Sequence, residues 1–203
     1  MRLASGWKLA LVAVAATCSV AVTAATSSKR ISDIITTRCS TCHGPTGQSS
    51  NVDFPKLAGQ NADYLVRQMF NFKSHARKSD EMDKQMADLS GNDIEALAHY
   101  YSLQQLIPVP KQDAALNEAG RNIYMLGSPE RGISACAVCH GPRARGGKLL
   151  PRLAGQHARY IAMQLNRFAD QSRTTDQTLM HSVASKLTED EIRAVSYYLS
   201  GLD

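Results

Sequence analysis

The chain has 203 residues and a formal net charge of +5 at pH 7, and 20% of its residues are charged. This length corresponds to one or two domains. The basic residues form neither a block nor an aromatic-basic stripe, which argues against a nucleic-acid-binding protein. Apolar residues recur at helical spacing and no convincing strand pattern appears, so the sequence predicts an all-α fold.

The N-terminus has the pattern of a secretory signal peptide, predicted over residues 1–25. Arg2 and Lys8 form a basic start, an apolar run follows, and small residues precede two cleavage sites, after Ala24 or Ala25. The apolar run is too short and too poorly flanked for a convincing transmembrane helix, although an uncleaved anchor remains the alternative. Loss of the two basic residues would lower the formal net charge from +5 to +3.

Helical patterns then continue along the chain. Ile31, Ile34 and Ile35 predict a short helix that runs into the segment beginning at Cys39. Asn61 is the predicted N-cap of a second helix, and this helix recurs in the second half of the chain. A further helix precedes a predicted loop over 127–132.

Two five-residue segments carry the pattern C-x-x-C-H. They are CSTCH at 39–43 and CAVCH at 136–140. This pattern attaches haem c, because the two thiols form thioethers with the porphyrin and the adjacent histidine ligates the iron. The sequence therefore predicts two covalently bound haem c groups. The attaching residues would be Cys39, Cys42, Cys136 and Cys139, with His43 and His140 as axial ligands.

Two other chemistries use C-x-x-C pairs. A zinc ion shared by all four cysteines would leave the histidine after each pair unexplained. A thioredoxin-like dithiol needs a βαβ context, which the pattern does not provide. The fifth cysteine, Cys18, lies in the predicted signal peptide and matches a lipidation site poorly. No cysteine then remains for a structural disulfide.

The two halves of the chain repeat each other at an offset of 96 to 98 residues. Each C-x-x-C-H-G-P segment is followed by P-x-L-A-G-Q and then by a helix with matching Tyr, Gln and Phe residues. The last helix of each copy starts at a capping-box pattern, S-x-x-D or T-x-x-E. The chain is therefore predicted to hold two copies of one domain. The predicted bounds are 26–107 for domain 1, 108–112 for the linker and 113–203 for domain 2.

The repeat also selects a second axial ligand for each iron. Met82 and Met180 each lie eight residues before the capping residue of the last helix, and 39 and 40 residues after the motif histidines. Met86 has no methionine counterpart in the second copy. Two alternatives stay open: the paired methionines fill the core, or His75 and His181 give bis-histidine ligation, although these two histidines do not align.

Three further sets of residues carry expectations. Pro55 and Pro151 start the repeated P-x-L-A-G-Q segment, and their carbonyl groups would orient the proximal histidines, unless the segment is only a turn. His99 and His157 are expected on helix surfaces. A basic group is expected near the second haem, where it would attract an acidic partner, pair with haem propionates or stay solvated; it comprises Arg143, Arg145, Lys148 and Arg152.

On these motifs the whole mature chain resembles dihaem cytochrome c4, a tandem pair of class I cytochrome c domains. The shared elements are CSTCHGP and CAVCHGP, PKLAGQ and PRLAGQ, the paired methionines and the last helix with its Tyr-Tyr pair. The resemblance implies His/Met ligation of both irons. It also implies a periplasmic electron carrier, not an enzyme, which passes electrons along a respiratory chain toward a terminal oxidase.

The expected partners are therefore redox proteins. A quinol:cytochrome c reductase or a dehydrogenase would be the donor, and a terminal oxidase the acceptor. The expected assembly is a monomer with two packed domains, compatible with peripheral membrane association. The alternative function is a dihaem redox enzyme, or the electron-transfer subunit of a periplasmic dehydrogenase. A catalytic role requires an open iron, which the paired methionines disfavour.

Overall fold

The computed structural model describes residues 28–107, 113–176 and 178–203. The predicted signal peptide and the predicted linker lie outside these residues, so the domain bounds stay a prediction. The described residues form helices, turns and one isolated β-bridge, between Ser128 and Ile133. The all-α prediction is confirmed. None of the helices in this part of the chain is long and apolar enough to cross a membrane.

In the first domain, helix α1 runs without a break into the first C-x-x-C-H segment. It comprises α-helical residues 28–34, a π-helical turn at Ile35–Cys39 and a last α-helical turn at Ser40–His43. The predicted helix leading into this segment is confirmed. Three helices follow: α2 (Ala62–Lys73), α3 (Asp80–Met86) and α4 (Gly91–Ser102). The apolar faces of these elements share one core, which includes Ile34, Leu65, Phe72, Leu89, Ile94 and Leu97.

The second domain has five helices within the described residues, and it approaches its C-x-x-C-H segment by a different route. Helix α5 (Ala114–Leu126) ends at Gly127, and a loop with a 3₁₀ turn (Pro129–Arg131) leads to the segment, as predicted. The remaining helices are α6 (Ala137–His140), α7 (Ala158–Ala169), α8 (Leu179–Ala184) and α9 (Glu189–Ser200).

Both predicted capping boxes are present at the last helices. The Ser90 side chain accepts from the backbone N–H of Asp93, whose carboxylate accepts from the N–H of Ser90. Thr188 and Glu191 make the same reciprocal pair at α9. Two of the first backbone N–H groups of each helix, which have no intrahelical acceptor, are satisfied in this way.

Helices α5 and α9 approach very closely at Gly120. A Cβ atom at this position would lie 2.0 Å from the carbonyl oxygen of Ala194, well inside van der Waals contact. Only glycine therefore permits this crossing. The crossing fixes α5, and hence the loop that carries the second C-x-x-C-H segment, against the last helix of the domain.

The two domains meet through contacts that repeat under an approximate twofold relation. Gln156 of domain 2 hydrogen-bonds both backbone groups of Lys56 in domain 1, and Gln60 of domain 1 does the same to Arg152 in domain 2. Such mutual contacts are typical of isologous interfaces between identical subunits. Here the internal duplication provides the two equivalent surfaces within one chain.

Candidate haem-binding sites

The four motif cysteines lie at the two predicted attachment sites, and none of these four forms a disulfide. Burial raises the pKa of Cys39 and raises the pKa of Cys136 to about 11. A reactive dithiol needs the opposite, a thiol pKa lowered toward neutral pH. The thioredoxin-like alternative therefore has no support from the environments of Cys39 and Cys136.

The zinc alternative is also unsupported. Throughout residues 28–107, 113–176 and 178–203, no three His, Cys, Asp or Glu side chains lie close enough together to hold a metal ion. Each cysteine pair instead lies next to its own histidine, in its own domain. The arrangement fits two separate attachment sites, which haem c requires.

Each motif histidine is oriented by the carbonyl group of the proline that starts the P-x-L-A-G-Q segment of the same domain. Nδ1 of His43 lies 2.9 Å from the carbonyl oxygen of Pro55, and Nδ1 of His140 lies 3.3 Å from that of Pro151. A carbonyl oxygen can only accept, so Nδ1 carries the proton and the lone pair of Nε2 is free for a metal. Burial lowers the pKa of both histidines, which keeps the imidazoles neutral.

The candidate methionines occupy equivalent places in the two domains. Met82 lies in the first turn of α3 and Met180 in the first turn of α8, and both side chains are partly buried. Met86 is only 3% exposed and belongs to the core of the first domain. Met86 therefore has a packing role in the first domain.

The remaining histidines have other contacts. His75 is largely exposed and pairs with Asp83, while Nδ1 of His181 bonds the carbonyl oxygen of Phe168. His99 is exposed on α4, as expected. The expectation for His157 was wrong: this residue precedes α7 and is half-buried between the domains, where Nε2 donates to the carbonyl oxygen of Ser49 at 2.9 Å.

Asn61 occupies the N-cap position of α2 as predicted, but its side chain makes no capping hydrogen bond. Its amide nitrogen instead reaches across the interface to the carbonyl oxygens of Arg145, Gly147 and Leu150, at 3.2, 2.8 and 2.7 Å. The predicted basic group therefore lies partly against the first domain. Arg152 is bonded through its backbone N–H to Gln60, and Lys148 approaches Asp63 at 4.0 Å.

Two buried arginines, which sequence reasoning did not single out, meet at the domain interface. Arg77 and Arg173 are each 7% exposed and stack on Phe72 and Phe168. Each guanidinium donates to a glutamine of its own domain, at 2.8 and 2.7 Å, and across the interface to a glutamine and a tyrosine of the other domain, at 2.8 to 3.1 Å. These acceptors are Gln68, Gln164, Tyr64 and Tyr160.

No carboxylate pairs with either guanidinium within the part of the chain that the structure describes. Nε of Arg173 has no hydrogen-bond partner at all there. Burial alone would raise the pKa of Tyr64, but the positive charges of Arg173 and Arg77 lower it. A buried charge without a counter-charge is costly, so an anion bound beside the two guanidinium groups would stabilise them. The propionates of haem c fit that requirement.

Comparison with known proteins agrees with this architecture. The cytochrome c family model matches residues 28–102 and again 118–203. The chain is 40% identical to cytochrome c4 of Azotobacter vinelandii over 177 residues, which cover 81% of this chain and 84% of the relative. It is 37% identical to the thiosulfate dehydrogenase electron acceptor of Thiomonas intermedia (strain K12), over 80% of this chain and 77% of the relative.

Among solved structures, the fold is similar to reduced recombinant cytochrome c4 from Pseudomonas stutzeri. The TM-score is 0.80 at 36% identity, with 89% of this chain and 98% of that chain covered. Two helical units, each with a C-x-x-C-H segment and an oriented histidine, define a cytochrome c with two covalently bound haem c groups. The chain belongs to the cytochrome c family, and within it to the dihaem cytochrome c4 family.

Proposed function

We propose that this protein is a periplasmic electron carrier of a respiratory chain, which passes electrons from a quinol:cytochrome c reductase or a dehydrogenase toward a terminal oxidase. The observation that carries the proposal is the reciprocal bonding of the two domains beside their haem sites, through Gln60 and Gln156. This bonding holds two redox centres in a fixed relation. Haem c supplies reversible one-electron exchange at its iron.

The residues of each domain divide the task of holding the cofactor. The motif cysteines would hold the haem covalently, and Nε2 of His43 and of His140 would be available to the iron, because their Nδ1 protons are held by proline carbonyls. Met82 and Met180 are the proposed second protein ligands of the two irons. With one histidine and one methionine bound to each iron, no position would be left open for a substrate or dioxygen.

The buried arginine pair would hold the anionic side of the haem sites. Arg77 and Arg173 each bond a tyrosine and a glutamine of the opposite domain, so both domains contribute to one basic interior. Neutralisation by propionates would remove the cost of two buried cations. Haem loading would then also favour domain packing.

A second candidate is the electron acceptor of a particular dehydrogenase. Two relatives, 37% and 34% identical to this chain, are named thiosulfate dehydrogenase electron acceptors. Under this candidate the protein is still a carrier and differs only in its donor. The dihaem redox enzyme is a different case, because catalysis at iron needs an open coordination position.

Carbon monoxide and rapid mixing separate these functions. When carbon monoxide is added to the reduced protein, exported with both haems attached, the visible spectrum should not change, because each iron would already have two protein ligands. The oxidised protein is mixed with a quinol and a quinol:cytochrome c reductase, or with thiosulfate and thiosulfate dehydrogenase, and the faster reduction identifies the donor. Carbon monoxide binding at one haem would instead favour the enzyme.

A further inference from the structure

Two peptide groups, one in each domain, are hydrogen-bonded at both ends. In the first domain the carbonyl of Pro55 accepts from Nδ1 of His43 at 2.9 Å. The N–H of the same peptide group, which belongs to Lys56, donates to Oε1 of Gln156 at 2.8 Å. A single amide therefore joins the proximal histidine of one haem to a side chain of the other domain.

The second domain repeats this arrangement with the roles exchanged. The carbonyl of Pro151 faces Nδ1 of His140 at 3.3 Å, and the N–H of Arg152 donates to Oε1 of Gln60 at 2.7 Å. Each glutamine also donates its Nε2 proton back, to the carbonyl oxygen of Lys56 or Arg152, at 2.8 and 2.9 Å. Oε1 and Nε2 of each glutamine side chain are thus both hydrogen-bonded to the opposite domain.

We propose that Gln60 and Gln156 are positioning residues that tune the reduction potentials crosswise: Gln156 acts on the haem of the first domain and Gln60 on the haem of the second. This inference rests on the proposed ligation by His43 and His140. The last residue of each repeated P-x-L-A-G-Q segment, the glutamine, thereby has a role: it lies in one domain and affects the reduction potential of the haem in the other.

The physical reason is polarisation of the shared amide. A hydrogen bond at an amide N–H increases the negative charge on its carbonyl oxygen, so the carbonyl accepts more strongly from the histidine Nδ1 proton. When the carbonyl oxygen draws the Nδ1 proton more strongly, the imidazole ring becomes more electron-rich and a better electron donor to iron. This stabilises the ferric state and lowers the reduction potential. Loss of the glutamine should reverse each of these steps.

Burial makes the effect specific to this contact. Lys56, Gln60 and Gln156 are only 6 to 7% exposed. The bonds between Gln156 and Lys56 are buried, so water does not compete readily for them, whereas the bonds between Gln60 and Arg152 are partly buried. Bonds of this kind are stronger in a low-dielectric interior than at a surface. The two glutamines also lie in equivalent positions, so each provides the matched comparison for the other.

The test measures the potentials of both haems in the exported protein carrying Gln156→Met. Haem NMR signals are assigned to each domain through their contacts with the attaching cysteines. The equilibrium constant for reduction of the first-domain haem should rise about threefold while that of the second-domain haem stays unchanged. Gln60→Met should give the reciprocal result. The Nδ1 proton of the ligand histidine in the affected domain should move upfield in the reduced protein.

Asn61→Ala is the matched control, because it removes three hydrogen bonds between the domains without touching either shared amide. It should leave both potentials unchanged. If Gln156→Met does not fold, Gln156→Glu keeps an oxygen acceptor for Lys56 and should lower the potential of the first-domain haem more than that of the second.

Some outcomes would overturn the inference. A shift confined to the haem in the same domain as the substituted glutamine would contradict crosswise tuning, as would equal shifts from Gln156→Met and Asn61→Ala. These results differ from failure of the proposed function. That failure would show in the unsubstituted protein, as an iron that lacks histidine ligation or that binds carbon monoxide.

Discussion

The two domains place the same haem-attachment segment by different routes. In the first, α1 passes directly into Cys39 through a π-helical turn. In the second, α5 stops at Gly127 and a loop completes the approach to Cys136. Both routes still deliver an arginine to the acid that caps the last helix: Arg30 pairs with Asp93, and Arg131 pairs with Glu191.

The comparison distinguishes the features that haem binding requires, which both domains share, from those that only support the fold, which differ between the domains. The motif, the oriented histidine and the glutamine contact to the other domain occur in both copies. The segment that leads to the motif differs, because its task is only to cover the core and support the last helix. Several local structures can do this, whereas the histidine needs one acceptor at one distance.

The largest expected effect is loss of the distal ligand in one domain only. Met82→Ala and Met180→Ala should each abolish about half of the weak sulfur-to-iron absorption and lower the potential of one haem, since methionine ligation raises the potential. The comparison is an oxidised visible spectrum together with a redox titration. Equal loss from both variants would establish that the two domains use the same ligand.

Met86→Ala is the control for this pair. Met86 is buried in the first core, so its truncation should reduce the free energy of unfolding by about 2–5 kcal/mol. The sulfur-to-iron absorption should nevertheless remain complete. Loss of the band in this variant would mean that the ligand assignment taken from the repeat is wrong.

The close helix crossing gives a prediction for the second domain. Gly120→Ala should reduce the free energy of unfolding by about 1–3 kcal/mol, because the added methyl group overlaps the backbone of Ala194. Gly147→Ala is the matched control, since a Cβ there meets nothing within 4 Å. Denaturant titration of both variants measures the difference. Equal stability would show that α5 and α9 separate at little cost.

Much of the fold and site follows from the sequence because the duplication provides an internal alignment. It paired the motifs, the prolines and the candidate methionines without any knowledge of their positions in space. It could not reveal that Gln60 and Gln156 contact the opposite copy, since both residues look equivalent whether their contacts are within or between domains. The buried arginines were missed although the repeat pairs Arg77 with Arg173 at an offset of 96 residues, because this alignment does not distinguish buried arginines from solvated ones.

The smallest expected effect concerns pH and the domain interface. Burial, assisted by the charge of Lys56, lowers the pKa of His157, although its bond to Ser49 acts in the opposite direction. The unfolded chain therefore binds this proton at a higher pH than the folded chain does. The contribution of the neutral His157 side chain to the free energy of unfolding is complete above pH of about 6.5 and declines as the pH falls below that value.

His157→Gln should therefore flatten the dependence of the unfolding free energy on pH in the acidic range just below 6.5. His99→Gln, which replaces an exposed histidine on α4 away from this contact, is the control for the loss of a histidine side chain. Denaturant titrations at a series of pH values provide the comparison. A steeper dependence in His157→Gln would mean that the interface favours the protonated imidazole.

An optical redox titration of the exported protein tests most directly that both domains hold an equivalent, closed redox centre. The account predicts two one-electron steps per chain, with the sulfur-to-iron band lost in equal portions as each haem is reduced. A single one-electron step, or a step without its portion of that band, would contradict it.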